Sequence, residues 1–249
     1  MEVRILPDRA GLGAAAAADV ADALRATIAQ RGAARVVFAA APSQSEMLAA
    51  LVRQPGIDWA AVTAFHMDEY VDLDASAPQG FGNWLHTALF DLLPFGEVHY
   101  LGTHGDAQTA DAYATALAAQ PIDVVCLGIG VNGHLAFNDP PVADFDDPKL
   151  VKEVELDTEC RQQQVDDGCF AALGDVPRRA LTLTVPALMA GARLFCVVPG
   201  RAKAAAVRDA LEGPLGTACP ASVLRRHDAC TLYLDRESAS ALEGQKALS

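Results

Sequence analysis

One glycine-rich stretch gathers an asparagine, a histidine and a carboxylate: Leu127-Gly128-Ile129-Gly130-Val131-Asn132-Gly133-His134-Leu135-Ala136-Phe137-Asn138-Asp139-Pro140. An imidazole with a carboxylate a short loop away suits acid–base chemistry on a small molecule. The glycines let the backbone turn tightly and approach a ligand closely. They also fit G-x-G-x-x-G, the dinucleotide fingerprint, which requires a helix straight after the third glycine. Here Asn138-Asp139-Pro140-Pro141 breaks any such helix. A nicotinamide site is set aside on that mismatch.

Three other segments carry useful chemistry. Ala64-Phe65-His66-Met67-Asp68-Glu69-Tyr70 puts two acids directly after a β-rich run. Side chains alternate along an extended chain, so Asp68 and Glu69 point opposite ways and only one faces a crevice. Ala41-Pro42-Ser43-Gln44-Ser45-Glu46 reads as a capping box between Ser43 and Glu46. The exposed N–H groups of such a helix start also suit phosphate. Val198-Pro199-Gly200-Arg201-Ala202-Lys203 places two cations at a strand-to-helix turn, where a lysine opposes the helix dipole unless an anion binds. Each segment has a plainer reading as well: a core histidine, solvated acids, ordinary capping, surface cations.

The elements that position these residues alternate. Strands are expected over 35–40, 61–66, 122–128, 180–185, 194–199 and 230–234. Helices are expected over 14–31, 45–54, 81–92, 107–120, 185–190 and 203–212. Alternation of this kind predicts an α/β fold of three layers, a mostly parallel sheet covered by helices on both faces. No repeat or Gly/Ser-rich linker interrupts it, so residues 1–249 are expected to form a single domain. Residues 140–177 are polar and irregular, as expected of a functional loop or lid. In such sheets ligands sit beyond the carboxyl ends of the strands, where all four segments fall.

The 249 residues are 51% hydrophobic with a formal net charge of −13. That charge argues against nucleic acid or an anionic membrane as partner. The six cysteines show no paired C-x-x-C spacing, which fits a reducing compartment. Met1-Glu2-Val3-Arg4 has no signal-peptide pattern, and no apolar run reaches the length of a membrane span. A cytoplasmic location is expected.

With those residues laid out, the chain resembles the glucosamine-6-phosphate deaminase (isomerase) family, whose superfamily includes the 6-phosphogluconolactonases. The matching motifs are HMDEYVDL (66–73), LGIGVNGHLAFNDP (127–140), ALTLTVPALM (180–189), the G-x-x-K of Gly200 to Lys203, and PASVLRRH (220–227). DEY and GHLAFN belong to the deaminase side; lactonases usually carry DER. The resemblance implies a Rossmann-like fold that converts glucosamine 6-phosphate, or a related hexosamine phosphate, and water to fructose 6-phosphate and ammonia. Asp68 corresponds to the base that moves the C2 proton, and His134 to the residue that opens the pyranose ring. Asp139 and Asn132 accompany His134 in the catalytic set. Lys203 and the turn Ser43-Gln44-Ser45 correspond to the phosphate site, with Glu69, Gly130 and Gly133 also placed against substrate. The family's lid arginine has no match in place; Arg161 is shifted, and Gln162 to Gln164 occupy its neighbourhood. No metal or organic cofactor is implied. The partner is a small sugar phosphate, and the family includes both monomers and hexamers, so a homo-oligomer is compatible with it. The alternatives are a 6-phosphogluconolactonase-type hydrolase, needing no C2 base, and a non-catalytic sugar-phosphate-binding protein.

Overall fold

Burial alternates along the central strands and splits the core into two halves. Val36, Phe38, Val124, Cys126, Phe195 and Val197 pack on one face of a sheet, with Val37, Phe65, Val125, Leu127, Leu194 and Cys196 on the other. Strands apolar on both sides need helices on both sides.

The computed structural model describes residues 1–102, 109–140 and 142–243. The strands are β1 (Glu2–Leu6), β2 (Ala34–Phe38), β3 (Val62–His66), β4 (Asp68–Tyr70), β5 (Glu97–His99), β6 (Val124–Leu127), β7 (Val151–Glu155), β8 (Arg179–Leu183), β9 (Arg193–Val198) and β10 (Cys230–Asp235). The helices are α1 (Arg9–Arg31), α2 (Ser45–Val52), α3 (Phe81–Leu85), α4 (Ala110–Ala118), α5 (Thr158–Asp166), α6 (Val185–Met189) and α7 (Ala204–Glu212). Seven strands form a parallel sheet in the order β1-β10-β9-β6-β2-β3-β5. Core residues of α1 and α2 join the first half of the core and those of α4, α6 and α7 the second, giving the expected three layers.

Local chemistry explains where the expected elements shift. Helix α1 begins at Arg9 rather than Ala14 because the Asp8 carboxylate caps the Gly11 N–H, and it ends at Gly32 in the left-handed region (φ 80°). The expected strand 180–185 does form, as β8, but it is not part of the parallel sheet. It is the centre of a small antiparallel sheet, β4-β8-β7. Residues 140–177 are not uniformly irregular either: β7 and α5 lie within them, and Asp157 caps α5 at the Cys160 N–H. The first residues of the helix expected over 107–120 fall outside the described residues; α4 accounts for the rest.

Candidate active site

The four strands that precede the chemically interesting segments are neighbours, β9-β6-β2-β3. The chain leaves β2 for β3 on one side, while β6 lies on the other. The crevice opens at that reversal, above the carboxyl ends. The cavity there is lined by Ser43 and Gln44 after β2, Asp68 after β3, Gly130 and His134 after β6, and Lys203 after β9. Groups more than a hundred residues apart in the chain thus share one hollow.

Alternation puts the two acids on opposite sides, and the fold decides between them. Asp68 reaches the cavity, and burial, reinforced by the nearby Glu69, holds its pKa well above the ordinary carboxylate range. Glu69 turns away, so its expected place against substrate is corrected. Its Oε1 accepts the Tyr70 and Phe81 N–H groups at 2.8 and 3.0 Å, and its Oε2 accepts that of Gly82 at 2.8 Å. Glu69 is therefore the N-terminal cap of α3. Burial outweighs those three donors and lifts its pKa to about 7. A glutamine here would turn an NH2 toward a backbone donor in a fully buried place. Glu69→Gln should cost about 1–3 kcal/mol in denaturant unfolding, and an unchanged midpoint would refute the capping role.

The turn after β6 is shaped by backbone geometry. Gly133 has φ 82°, and a Cβ there would lie 2.7 Å from the Cys219 sulfur. Ala136 also takes a positive φ of 50°, an uncommon state for a residue with a side chain. Asn138, fully buried, holds that shape: its amide donates to the Leu135 and Leu183 carbonyls at 2.9 and 2.8 Å. His134 is thereby laid over Gly130, whose missing Cβ leaves room for the ring. His134 Nδ1 lies 2.9 Å from Asp139 Oδ1. Asn132 acts on both: its Nδ2 donates to Asp139 Oδ1 at 3.0 Å and its Oδ1 accepts the His134 backbone N–H at 3.1 Å. It thus orients Asp139 and the loop rather than the imidazole itself. Burial pushes Asp139 upward, but the nearby His134, the Asn132 amide and the Cys160 thiol together leave its pKa below the usual range. A carboxylate ionised beside an imidazole stabilises that ring when it gains a proton.

Lys203 lines the same cavity, and burial lowers its pKa to about 8, against the upward pull of Asp167 and Cys160. Arg201, expected to share an anion with it, does not line the cavity. Neither does Ser45, which is exposed, nor Gly133, whose part is in the turn. The capping box is not formed: no side chain caps this helix start, and Glu46 instead receives Arg9 at 2.8 and 3.1 Å. Gln44 is fixed by donation to the Val197 carbonyl at 3.1 Å.

Two cavity residues, Gln163 and Gln164, come from α5, in the segment read as irregular. The signal available was Asp157 followed by a polar run, a helix start with too little apolar periodicity to stand out. Arg161 from the same helix is buried elsewhere, its guanidinium donating to the Leu173 and Val176 carbonyls at 2.6 and 2.9 Å.

Known proteins share this fold and part of this sequence. The glucosamine-6-phosphate isomerase/6-phosphogluconolactonase family model matches residues 7–233. A glucosamine-6-phosphate deaminase of Exiguobacterium sibiricum is 34% identical over 195 residues, 78% of this chain and 75% of that protein. The solved structure of a monomeric glucosamine-6-phosphate deaminase of the NagB superfamily superposes with a TM-score of 0.85 at 25% identity, covering 97% of this chain and all of the other. A 6-phosphogluconolactonase from Trypanosoma brucei shares the fold, with a TM-score of 0.77 at 18% identity over 97% of this chain and 98% of its own. By sequence and by fold, the chain belongs to the glucosamine-6-phosphate isomerase/6-phosphogluconolactonase family.

Proposed function

We propose that this protein is a glucosamine-6-phosphate deaminase, converting glucosamine 6-phosphate and water to fructose 6-phosphate and ammonia. The observation that carries this reading is that the Asp68 carboxylate, the His134 imidazole and Lys203 line one cavity. His134, backed by ionised Asp139, delivers a proton to the ring oxygen as the C1–O5 bond breaks and recovers one from the O1 hydroxyl, which becomes the aldehyde. Asp68 takes the proton from C2 of the open aldehyde and returns it at C1, while O1 gains a proton and the nitrogen gives one up, leaving a C1 hydroxyl and an imine at C2. Water adds to that imine and ammonia departs, so the atoms balance without an oxidant or reductant. Lys203 and the Ser43–Gln44 turn hold the phosphate, which fixes C2 against the base. One domain over residues 1–249, with 140–177 contributing the wall that carries Gln163 and Gln164, suffices for the reaction, and a cytoplasmic setting suits its phosphorylated substrate.

The lactonase reading lacks a task for a buried C2 base. Parallel assays of glucosamine 6-phosphate and 6-phosphogluconolactone separate the two. Ammonia and ketose phosphate should appear in equal amounts from the first; acid release from the second without any ammonia would overturn the proposal. The groups also imply a pH profile. Asp68 works ionised, so kcat/KM should fall as pH drops below its raised pKa, and Lys203 binds phosphate as a cation, so it should fall again above about 8. Lys203→Met should raise KM about 10- to 100-fold, the loss of one hydrogen bond to a charged group, with a smaller change in kcat. An unaltered KM would remove the lysine from the phosphate site.

A further inference from the structure

Behind the cavity wall lies a cluster that acid–base catalysis does not fully use. His134, Asp139 and Cys160 each offer one ligand-type atom, and these atoms all lie within 4.8 Å of one another. Cys160 is fully buried at the start of α5, with its backbone N–H held by Asp157 Oδ1 at 2.7 Å. Two atoms here make no hydrogen bond of ordinary geometry among the described residues: Asp139 Oδ2, with only the Cys160 thiol near Asp139 as a weak donor, and His134 Nδ1, close to Asp139 Oδ1 yet out of line with it. Asp139 is only 1% exposed, and buried polar atoms left unpaired are rare and costly.

We infer that His134, Asp139 and Cys160 form a binding site for a zinc-class divalent ion, and that occupancy switches the enzyme off. Sulfur, imidazole nitrogen and carboxylate oxygen are the donors that zinc favours, whereas magnesium and calcium require oxygen shells. Zinc bonds of about 2.0–2.3 Å place tetrahedral ligands about 3.3–3.7 Å apart, within the span of this cluster. The fourth position would carry water. Asn132, donating to Asp139, supplies the outer contact that orients a metal carboxylate. His134 lines the cavity and so gives the ion its entry. Binding forms Zn–S, Zn–N and Zn–O bonds; the thiol proton of Cys160 leaves to solvent, and nothing is oxidised or reduced. The ion then occupies His134 Nδ1 and neutralises Asp139, removing the support that ring opening needs.

The inhibition arm of this inference rests on the deaminase reading; the binding arm does not. Cobalt(II) added to the chelator-treated protein should bind in a single equivalent with a near-ultraviolet thiolate-to-cobalt charge-transfer band. Zinc should displace it, releasing about one proton per ion, while magnesium should not. Cys160→Ser, close in size and hydrogen-bonding character, should lose the band and bind cobalt at least about 100-fold more weakly. Cys160→Ala is the second variant, and thermal melting of both checks folding. Wild-type ammonia release should be inhibited by zinc and restored by chelator, and each variant, relative to its own chelated rate, should resist zinc. No stoichiometric band, or a band that survives in Cys160→Ser and Cys160→Ala, overturns the site. A band with undiminished ammonia release overturns the switch. If glucosamine 6-phosphate is not turned over at all, the cobalt band still decides the site.

Discussion

Asp68→Asn is expected to lower kcat for ammonia release by about 100- to 10,000-fold, the range that a positioned general base contributes. Asparagine keeps the shape of the side chain and cannot take a proton from carbon. The loss should therefore fall on kcat, with KM for the sugar phosphate little changed, since Lys203 and the Ser43–Gln44 turn are untouched. Exchange of the C2 hydrogen with solvent deuterium should stop in parallel. The variant should remain folded. Burial raises the folded pKa of Asp68 above its unfolded value, so its contribution to stability is complete below the unfolded value and is lost as pH rises through the folded one. Asparagine cannot ionise, so at high pH the variant should melt no lower than the wild type. Deamination at the wild-type rate would remove Asp68 from the mechanism.

The second large effect is expected from a residue with no side chain. A Cβ added at Gly130 would lie 2.1 Å from His134 Cε1, 2.2 Å from Nε2 and 2.3 Å from Nδ1. No ring tolerates that approach, and His134 has little freedom to retreat with its backbone. Its carbonyl accepts the Gly130 N–H at 3.0 Å, and its N–H is held by Asn132. The imidazole must swing away from Asp139 and from the substrate. A misplacement of about 1 Å costs on the order of 100-fold in rate, so Gly130→Ala should lower kcat by about that much while circular dichroism stays native. Combining it with His134→Ala gives a sharper check. If the glycine acts only by seating the histidine, the double variant should be no slower than His134→Ala alone. Full additivity of the two losses would mean that Gly130 serves some other purpose.

The glycine-rich turn, the two acids after β3, and Lys203 were all legible as chemistry, because each sits where an apolar run gives way to polar or glycine residues. The sheet was legible for a similar reason, since strands buried on both faces read as continuous apolar runs. What escaped was held by partners distant in sequence. Strand β7, Val-Lys-Glu-Val-Glu, is an edge strand whose charged residues hide it. Helix α5 has almost no apolar face of its own, yet it supplies Gln163, Gln164 and Cys160 to the neighbourhood of the cavity. The capping box failed because Arg9, at the start of another helix, binds Glu46. Alternation put Asp68 and Glu69 on opposite sides of the chain, but which one faces the cavity, and the capping role of Glu69, needed the position of α3, more than ten residues on.

By itself the sequence determined the layered α/β architecture and singled out the candidate reactive side chains, because both follow from local pattern: apolar period, turn residues, and polar groups at strand ends. Tertiary structure alone decided that those groups converge, which acid faces the cavity, and how far each pKa moves. Convergence depends on strand order, which places β9, β6, β2 and β3 side by side although the chain visits them far apart. The pKa shifts depend on desolvation and on neighbours from other elements, and neither exists until the chain has closed around them.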